Sequence, residues 1–80
     1  MPRLLIKVVD YETRMPLMGV GVSVDGRVGV TDFRGEAVFE LPAGTYTVSV
    51  RHTFYRPFEE TVTVDRDRAI TVRLIRATPW

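Results

Sequence analysis

The stretch TYTVSVRH, residues 45–52, alternates apolar and polar side chains along its length. Tyr46, Val48 and Val50 fall on one side of this alternation, and threonine, serine and arginine residues fall on the other. Successive side chains of a β-strand point to opposite faces of a sheet, so a period of two predicts a strand with one buried and one wet face.

The same alternation recurs on both sides of this strand. No window carries apolar residues at the helical spacing i, i+3, i+4 and i+7 over ten or more residues. A further short strand is predicted over residues 27–31. A lone sheet could not bury its apolar face, so the pattern predicts an all-β fold, a seven-stranded antiparallel sandwich of two sheets. The other inward-facing positions are predicted to be Ile6, Val8, Val20, Val22, Val24, Ala37, Phe39, Leu41, Val62, Val64, Ile70, Val72 and Leu74.

Turn residues separate the predicted strands at regular intervals. Asp25-Gly26 is the dipeptide typical of a two-residue hairpin loop. Residues 32–35 (DFRG) and 41–44 (LPAG) each end in a glycine, and we expect both glycines to adopt a positive φ.

Composition excludes several kinds of site. The 80-residue chain has a net charge of +1, no cysteine and one histidine, His52. It can form neither a disulfide nor a thiolate metal site, and one histidine cannot build an imidazole cluster. The charges are mixed along the chain, so no nucleic acid partner is expected. Apolar runs are short, so we expect no membrane span and no signal peptide in this chain, and its length predicts one domain, residues 1–80.

Asparagine and glutamine are absent, and every basic residue except Lys7 is an arginine. Depletion of heat-labile amides is typical of thermophilic proteins, although the commoner enrichment in lysine and glutamate is missing. A GC-rich genome explains the same composition. The sequence therefore leaves a thermophilic source and a GC-rich genome as alternatives.

Several segments together resemble a known family. They are residues 7–10 (KVVD), 16–20 (PLMGV), 22–26 (VSVDG), 31–37 (TDFRGEA) and 41–50 (LPAGTYTVSV). On these segments the chain resembles the carboxypeptidase regulatory-like domain family, whose fold is transthyretin-like with Greek-key topology. Gly44-Thr45-Tyr46 and Tyr55 add a secondary similarity to PEGA domains. The resemblance implies an accessory module and favours an extracytoplasmic or cell-surface location.

Residues suited to catalysis are few. A related transthyretin-like group hydrolyses 5-hydroxyisourate with several histidines and a C-terminal Tyr-Arg-Gly-Ser tail, whereas this chain has only His52 and ends in RATPW, residues 76–80. His52 continues the inward register of Val50 without a patterned nucleophile or acid beside it, which favours a structural role. We therefore expect no enzyme activity, no cofactor and no metal. The remaining candidate oxygen ligands are interpreted as turn residues: Asp25, Asp32, Asp65 and Asp67.

Aromatic residues are the candidate contacts with a ligand or partner. Phe54, Tyr55 and Phe58 surround Arg56-Pro57 in a predicted loop, and Trp80 adds a fourth ring. Exposed rings stack on sugars or anchor protein partners. The alternative is that these rings close one end of the sandwich.

The outward-facing Leu5, Val9 and Ile75, with Trp80, are expected to line an association interface, because a core of this size leaves stability marginal. The predicted function is a structural or protein-interaction accessory module, with a protein partner or a second copy of the chain as its partner. The alternative is a carbohydrate-binding module that uses the aromatic loop.

Overall fold

The computed structural model describes residues 1–77. The strands are β1 Arg3–Asp10, β2 Gly21–Val24, β3 Arg27–Val30, β4 Glu36–Glu40, β5 Gly44–Arg51, β6 Phe58–Val64 and β7 Arg68–Leu74. β4, β1 and β7 form a three-stranded sheet, and β3, β2, β5 and β6 form a four-stranded sheet. No helix among the described residues is long and apolar enough to cross a membrane. The predicted all-β sandwich of seven strands in two sheets is confirmed.

The core between the sheets is built mainly from valine. All of the predicted inward-facing residues except Tyr46 and Ile70 are buried, and these two are partly buried and pack against the core. Ile6 pairs with Ala37 on one side and with Ile70 on the other, which places β1 at the centre of its sheet. The alternation of side chains therefore predicted the buried face of each strand correctly.

One pair of strands departs from the predicted antiparallel arrangement. β1 and β7 are parallel, with Leu4 opposite Arg68 and Asp10 opposite Leu74. Side-chain alternation has the same period whichever way the neighbouring strand runs, so it could not reveal this direction. The parallel pairing brings the ends of β1 and β7 together, and the Tyr11 N–H donates a hydrogen bond to the Leu74 carbonyl at 3.0 Å.

The β2–β3 hairpin has the turn that its sequence predicts. Val24 pairs with Arg27, so Asp25 and Gly26 alone form the loop. Their φ angles are 45° and 87°. Positive φ at both positions defines a type I′ turn, which matches the right-handed twist of the flanking strands.

The two other turn glycines behave differently from each other. Gly35 has a φ of 77°, as predicted, and a Cβ there would lie 2.6 Å from the Val8 carbonyl oxygen. Only glycine fits this position without a shift of the backbone. The prediction of a positive φ at Gly44 is wrong, because this residue already begins β5. The loop before it is held instead by a hydrogen bond from the Tyr46 hydroxyl to the Pro42 carbonyl.

The prediction that Val9 faces solvent is also wrong. Val9 is 6% exposed, and in the sheet it is flanked by Pro16 and Arg73. The chain after β1 turns back along this strand, so that the Leu17 N–H donates to the Val8 carbonyl at 2.9 Å. Val9 is therefore covered by a segment whose return the strand pattern does not predict.

Candidate functional site

Four segments meet at one end of the sandwich, which we call the loop end: residues 11–20, 31–35, 52–57 and 75–77. Backbone hydrogen bonds join them in pairs. The Gly19 N–H donates to the Thr31 carbonyl at 2.9 Å, and the Arg56 N–H donates to the Ile75 carbonyl at 2.8 Å. The Ala77 N–H donates to Phe54 at the same distance of 2.8 Å. These bonds join the first segment to the second and the third to the fourth.

Thr31 fixes the first two of these segments side by side. It is buried, and its hydroxyl donates a hydrogen bond to the Leu17 carbonyl at 2.7 Å. The same hydroxyl accepts a hydrogen bond from the Val20 N–H at 2.9 Å. A buried hydroxyl that both donates and accepts is fully satisfied, so Thr31 stabilises the loops without a desolvation penalty for an unpaired group.

Asp10 connects the remaining segments from the end of β1. Its Oδ1 accepts hydrogen bonds from the N–H groups of Glu12 and Thr13 at 2.8 and 3.0 Å, which is an Asx-turn arrangement. Its Oδ2 accepts a hydrogen bond from the Tyr55 hydroxyl at 2.7 Å and lies 3.6 Å from Nη2 of Arg76. One buried carboxylate thus holds the loop after β1, the β5–β6 loop and the segment after β7.

These contacts change the acidity of Asp10. They lower its pKa from 3.8 to about 2, chiefly through the hydrogen bond from the Thr13 N–H and then through that from Tyr55. Burial opposes this change, while the Glu12 N–H and the charge of Arg76 reinforce it. The pKa of Arg76 is raised, chiefly by its hydrogen bond to Tyr55. Asp10 is therefore a fixed anion near neutral pH, and its chemical role is to hold the loops in place.

Large apolar side chains are concentrated on the loop end. Six of them are between 46% and 71% exposed. They come from all four segments, which are distant in sequence, so the sequence does not present them as a group. Arg34 adds a cationic group, with its guanidinium carbon 5.3 Å from the centre of the Phe33 ring. The six are Tyr11, Met15, Met18, Phe33, Phe54 and Ile75.

A cleft with a volume of about 570 Å³ opens at this end, lined by Gly19, Arg51, His52, Thr53, Tyr55 and Pro57. His52 is held in place on its wall, because its Nδ1 accepts a hydrogen bond from the Phe54 N–H at 3.1 Å. Its ring also meets the Tyr55 ring edge-on, with centroids 4.9 Å apart. With Nδ1 accepting, the proton of the neutral imidazole lies on Nε2, so the ring offers a donor.

The predicted aromatic contacts are distributed between core and surface. Phe54 is 56% exposed, whereas Tyr55 is 8% exposed and belongs to the core. Phe58 is partly buried and packs against the core. Trp80 lies outside the described residues. Phe54 is thus the described member of the set that presents most of its ring to solvent.

The residues that were predicted to line an association interface do not lie together in the structure. Leu5 is partly buried on the outer face of the three-stranded sheet, next to Val38 and Ala69. Ile75 is exposed at the loop end. The role of Asp10 is not evident from the sequence, because a strand-end aspartate followed by polar residues indicates only a local Asx-turn and not its distant tyrosine partner.

The sequence profile of the carboxypeptidase regulatory-like domain matches residues 3–75. The chain belongs to this family. The match includes all seven strands and nearly all of the loop end, and it confirms the predicted resemblance. No curated protein matches the chain.

Solved structures share the fold of this family member at low sequence identity. The 5-hydroxyisourate hydrolase of Klebsiella pneumoniae is 23% identical with a TM-score of 0.74, and the match covers 98% of this chain and 88% of the hydrolase. Two interface mutants of a type II cohesin–X–dockerin complex from Acetivibrio cellulolyticus have TM-scores of 0.71 and 0.69, at 24% and 25% identity. These matches cover 94% of this chain and 56% of the other chain. The predicted transthyretin-like fold is confirmed.

The prediction that the chain is not an enzyme is contradicted by the hydrolase structure, since an enzyme has the same fold over 98% of this chain. The prediction was based on the absence of a catalytic pattern in the sequence. A fold carries different chemistries through a few side chains, so a non-enzymatic assignment does not follow from this scaffold. Within residues 1–77, no three or more histidine or acidic side chains are grouped so that they could hold a metal ion.

Proposed function

We propose that this chain is a protein-interaction module that binds its partner through the loop end. The observation that carries the proposal is the cluster of six exposed apolar side chains on four segments that are hydrogen-bonded to one another. Scattered exposed apolar residues are normal on a protein surface, whereas a group of them at one place is typical of an interaction site.

The opposite end of the sandwich provides the contrast. Its connections are Asp25-Gly26, residues 41–43 and residues 65–67, which are polar or rich in small residues and proline. Among the described residues at that end, Met1 is the large apolar side chain with high exposure. The asymmetry between the two ends supports binding at the loop end.

The comparisons support the same class of function. The matching family is described as a regulatory-like domain, and structures of the cohesin–X–dockerin complex contain a chain with this fold. The proposed partner is another protein. If that partner is a second copy of this chain, a sedimentation experiment would show the dimer.

The proposal can be tested by selecting binding peptides from a random phage library on the immobilised chain. The selected peptides are then mapped by the shifts that they cause in the ¹H–¹⁵N spectrum. We expect shifts in residues 11–20, 31–35 and 52–57. The double variant Met18→Glu/Phe54→Glu should lose at least about tenfold in affinity, because exposed aromatic anchors carry much of an interface's binding energy.

Val28→Glu is the matched control, since Val28 is also highly exposed but lies on β3, outside the loop end. This variant should bind the selected peptides as the wild type does. Peptides that map to the opposite end, or that bind the double variant and the wild type equally, would contradict the proposal.

A further inference from the structure

The residues that line the cleft at the loop end suit a ligand that accepts hydrogen bonds. Arg51, His52 and Thr53, which all carry hydrogen-bond donors, belong to its lining, and no acidic residue within residues 1–77 does. We infer that this cleft receives a carboxylate side chain from an acidic segment of the partner protein. The inference rests on the proposed function and specifies which partner chemistry the loop end recognises.

Arg51 is the principal cation of the cleft. It is exposed at the end of β5 and pairs in the sheet with Gly21, which has no side chain to cover it. A Cβ at position 21 would have only the Arg51 carbonyl oxygen nearby, at 3.9 Å, so the space beside the strand is open. A guanidinium with open space around it can bind both oxygens of a carboxylate.

No carboxylate within residues 1–77 neutralises Arg51. The ion pairs in this part of the chain are Arg3–Glu40, Arg66–Asp65 and Arg76–Asp10. The nearest acidic residue in the register is Glu59, which faces Ser49 with its Oε2 3.3 Å from the serine Oγ. Arg51 is thus available for a carboxylate from another molecule.

The charge of the surrounding surface favours the same ligand. The four segments of the loop end carry four arginines and two carboxylates, which leaves an excess of two positive charges. Asp10 is already buried against Arg76, and Asp32 Oδ1 accepts hydrogen bonds from the N–H groups of its own turn. A surface of this sign attracts acidic partners and repels basic ones. The residues counted are Arg14, Arg34, Arg56, Arg76, Glu12 and Asp32.

An apolar ring lies beside the polar wall, because the centroids of the Phe54 and His52 rings are 5.9 Å apart. Met18 precedes Gly19 and Phe54 follows Thr53, and both are exposed. The cleft volume of about 570 Å³ is within the range of about 300–1,000 Å³ that is usual for sites that enclose a ligand. The partner segment therefore carries aromatic or aliphatic residues next to its acidic residue.

The test uses two blocked hexapeptides that differ only in charge. One carries two glutamates between two phenylalanines, and the other carries two glutamines in their place. We expect the acidic peptide to shift the backbone resonances of Arg51, His52 and Thr53 and to bind roughly tenfold more tightly than the neutral peptide at low salt. High salt should reduce this difference.

Arg51→Gln should abolish the preference for the acidic peptide. Arg27→Gln is the matched control, because Arg27 is also exposed on the four-stranded sheet but lies at its opposite end. That variant should keep the preference. Equal binding of the two peptides by the wild type, or equal effects of the two substitutions, would overturn the inference.

The phage selection separates this inference from the proposed function. Peptides that map to the loop end and are enriched in acidic residues support both. Peptides that map there without this enrichment leave the proposed function standing and overturn the carboxylate inference. If every selected peptide maps elsewhere, both are overturned.

Discussion

Asp10 and Tyr55 are 45 positions apart in the chain and are joined by one hydrogen bond of 2.7 Å. Neither residue lies on the exposed surface of the loop end, but their contact fixes the loops that form it. A hydrogen bond to a charged acceptor is stronger than one between neutral groups, and a buried carboxylate that loses a donor is costly. The Asp10–Tyr55 pair is therefore the contact on which the shape of the candidate site most depends.

Tyr55→Phe should lower the free energy of unfolding at pH 7 by about 1–3 kcal/mol, because it removes one donor from a buried carboxylate. The pKa of Asp10 is lowered from 3.8 to about 2, so its stabilising effect is fully present above about pH 4 and is lost as the pH falls towards 2. The difference between variant and wild type should therefore shrink over this interval. Urea denaturation at pH 7, 4 and 2 measures this difference in the free energy of unfolding.

Tyr46→Phe provides the control for this experiment. It removes the same hydroxyl group, but the acceptor is the Pro42 carbonyl, which does not titrate. Its effect on stability should not change between pH 4 and pH 2. If the loss in the free energy of unfolding of Tyr55→Phe also stays constant down to pH 2, the charge of Asp10 does not strengthen the hydrogen bond.

Val48 and Asp10 show which features of the structure could be predicted from the sequence and which could not. The burial of Val48 follows from its neighbours in the same strand, because alternation is a local property. The partners of Asp10 come from segments brought together by the parallel pairing of β1 and β7 and by the return of the chain after β1. These are long-range arrangements, so the buried faces were predictable and the loop end was not.

At the level of the strands, inward-pointing charges protect two edge strands, β6 and β7, against pairing with a further strand. Glu60 of the edge strand β6 occupies an inward register position opposite Val48, yet it remains exposed. Arg68 of β7 likewise stands opposite Leu4, and its Nη1 donates to the Thr63 carbonyl at 2.7 Å. Inward-pointing charges on edge strands prevent another strand from pairing there, because pairing would bury the charge. The β6–β7 side of the sandwich is thus protected against association.

Glu60→Val should remove this protection and promote association through β6. With valine at position 60, the inward face of β6 would be apolar along its whole length, and an added strand would bury no charge. Sedimentation velocity should show a larger average mass than for the wild type, increasing with concentration. Glu59→Val is the matched control, because residue 59 faces outward towards Ser49. A mass for Glu60→Val no larger than that of the control would exclude the protective role.

For the molecule as a whole, the important property is that the loop end is already formed. Backbone hydrogen bonds, Thr31 and Asp10 together hold all four segments of the loop end before any partner is present. Association orders few additional groups when the binding surface is preformed, so less of the interaction energy is lost to conformational entropy. An 80-residue chain with a modest core thereby supports the proposed binding surface without a large scaffold.

Amide hydrogen exchange tests this rigidity. The Leu17 and Arg56 N–H groups donate to the Val8 and Ile75 carbonyls at 2.9 and 2.8 Å, so their exchange requires the loop end to open. Amides of Met18 and Phe33, which form no hydrogen bond within residues 1–77, are controls in the same loops. We expect the first pair to exchange at least about a hundredfold more slowly, after correction for sequence effects. Equal rates would mean that the loops open independently, and the binding surface would then form only with its partner.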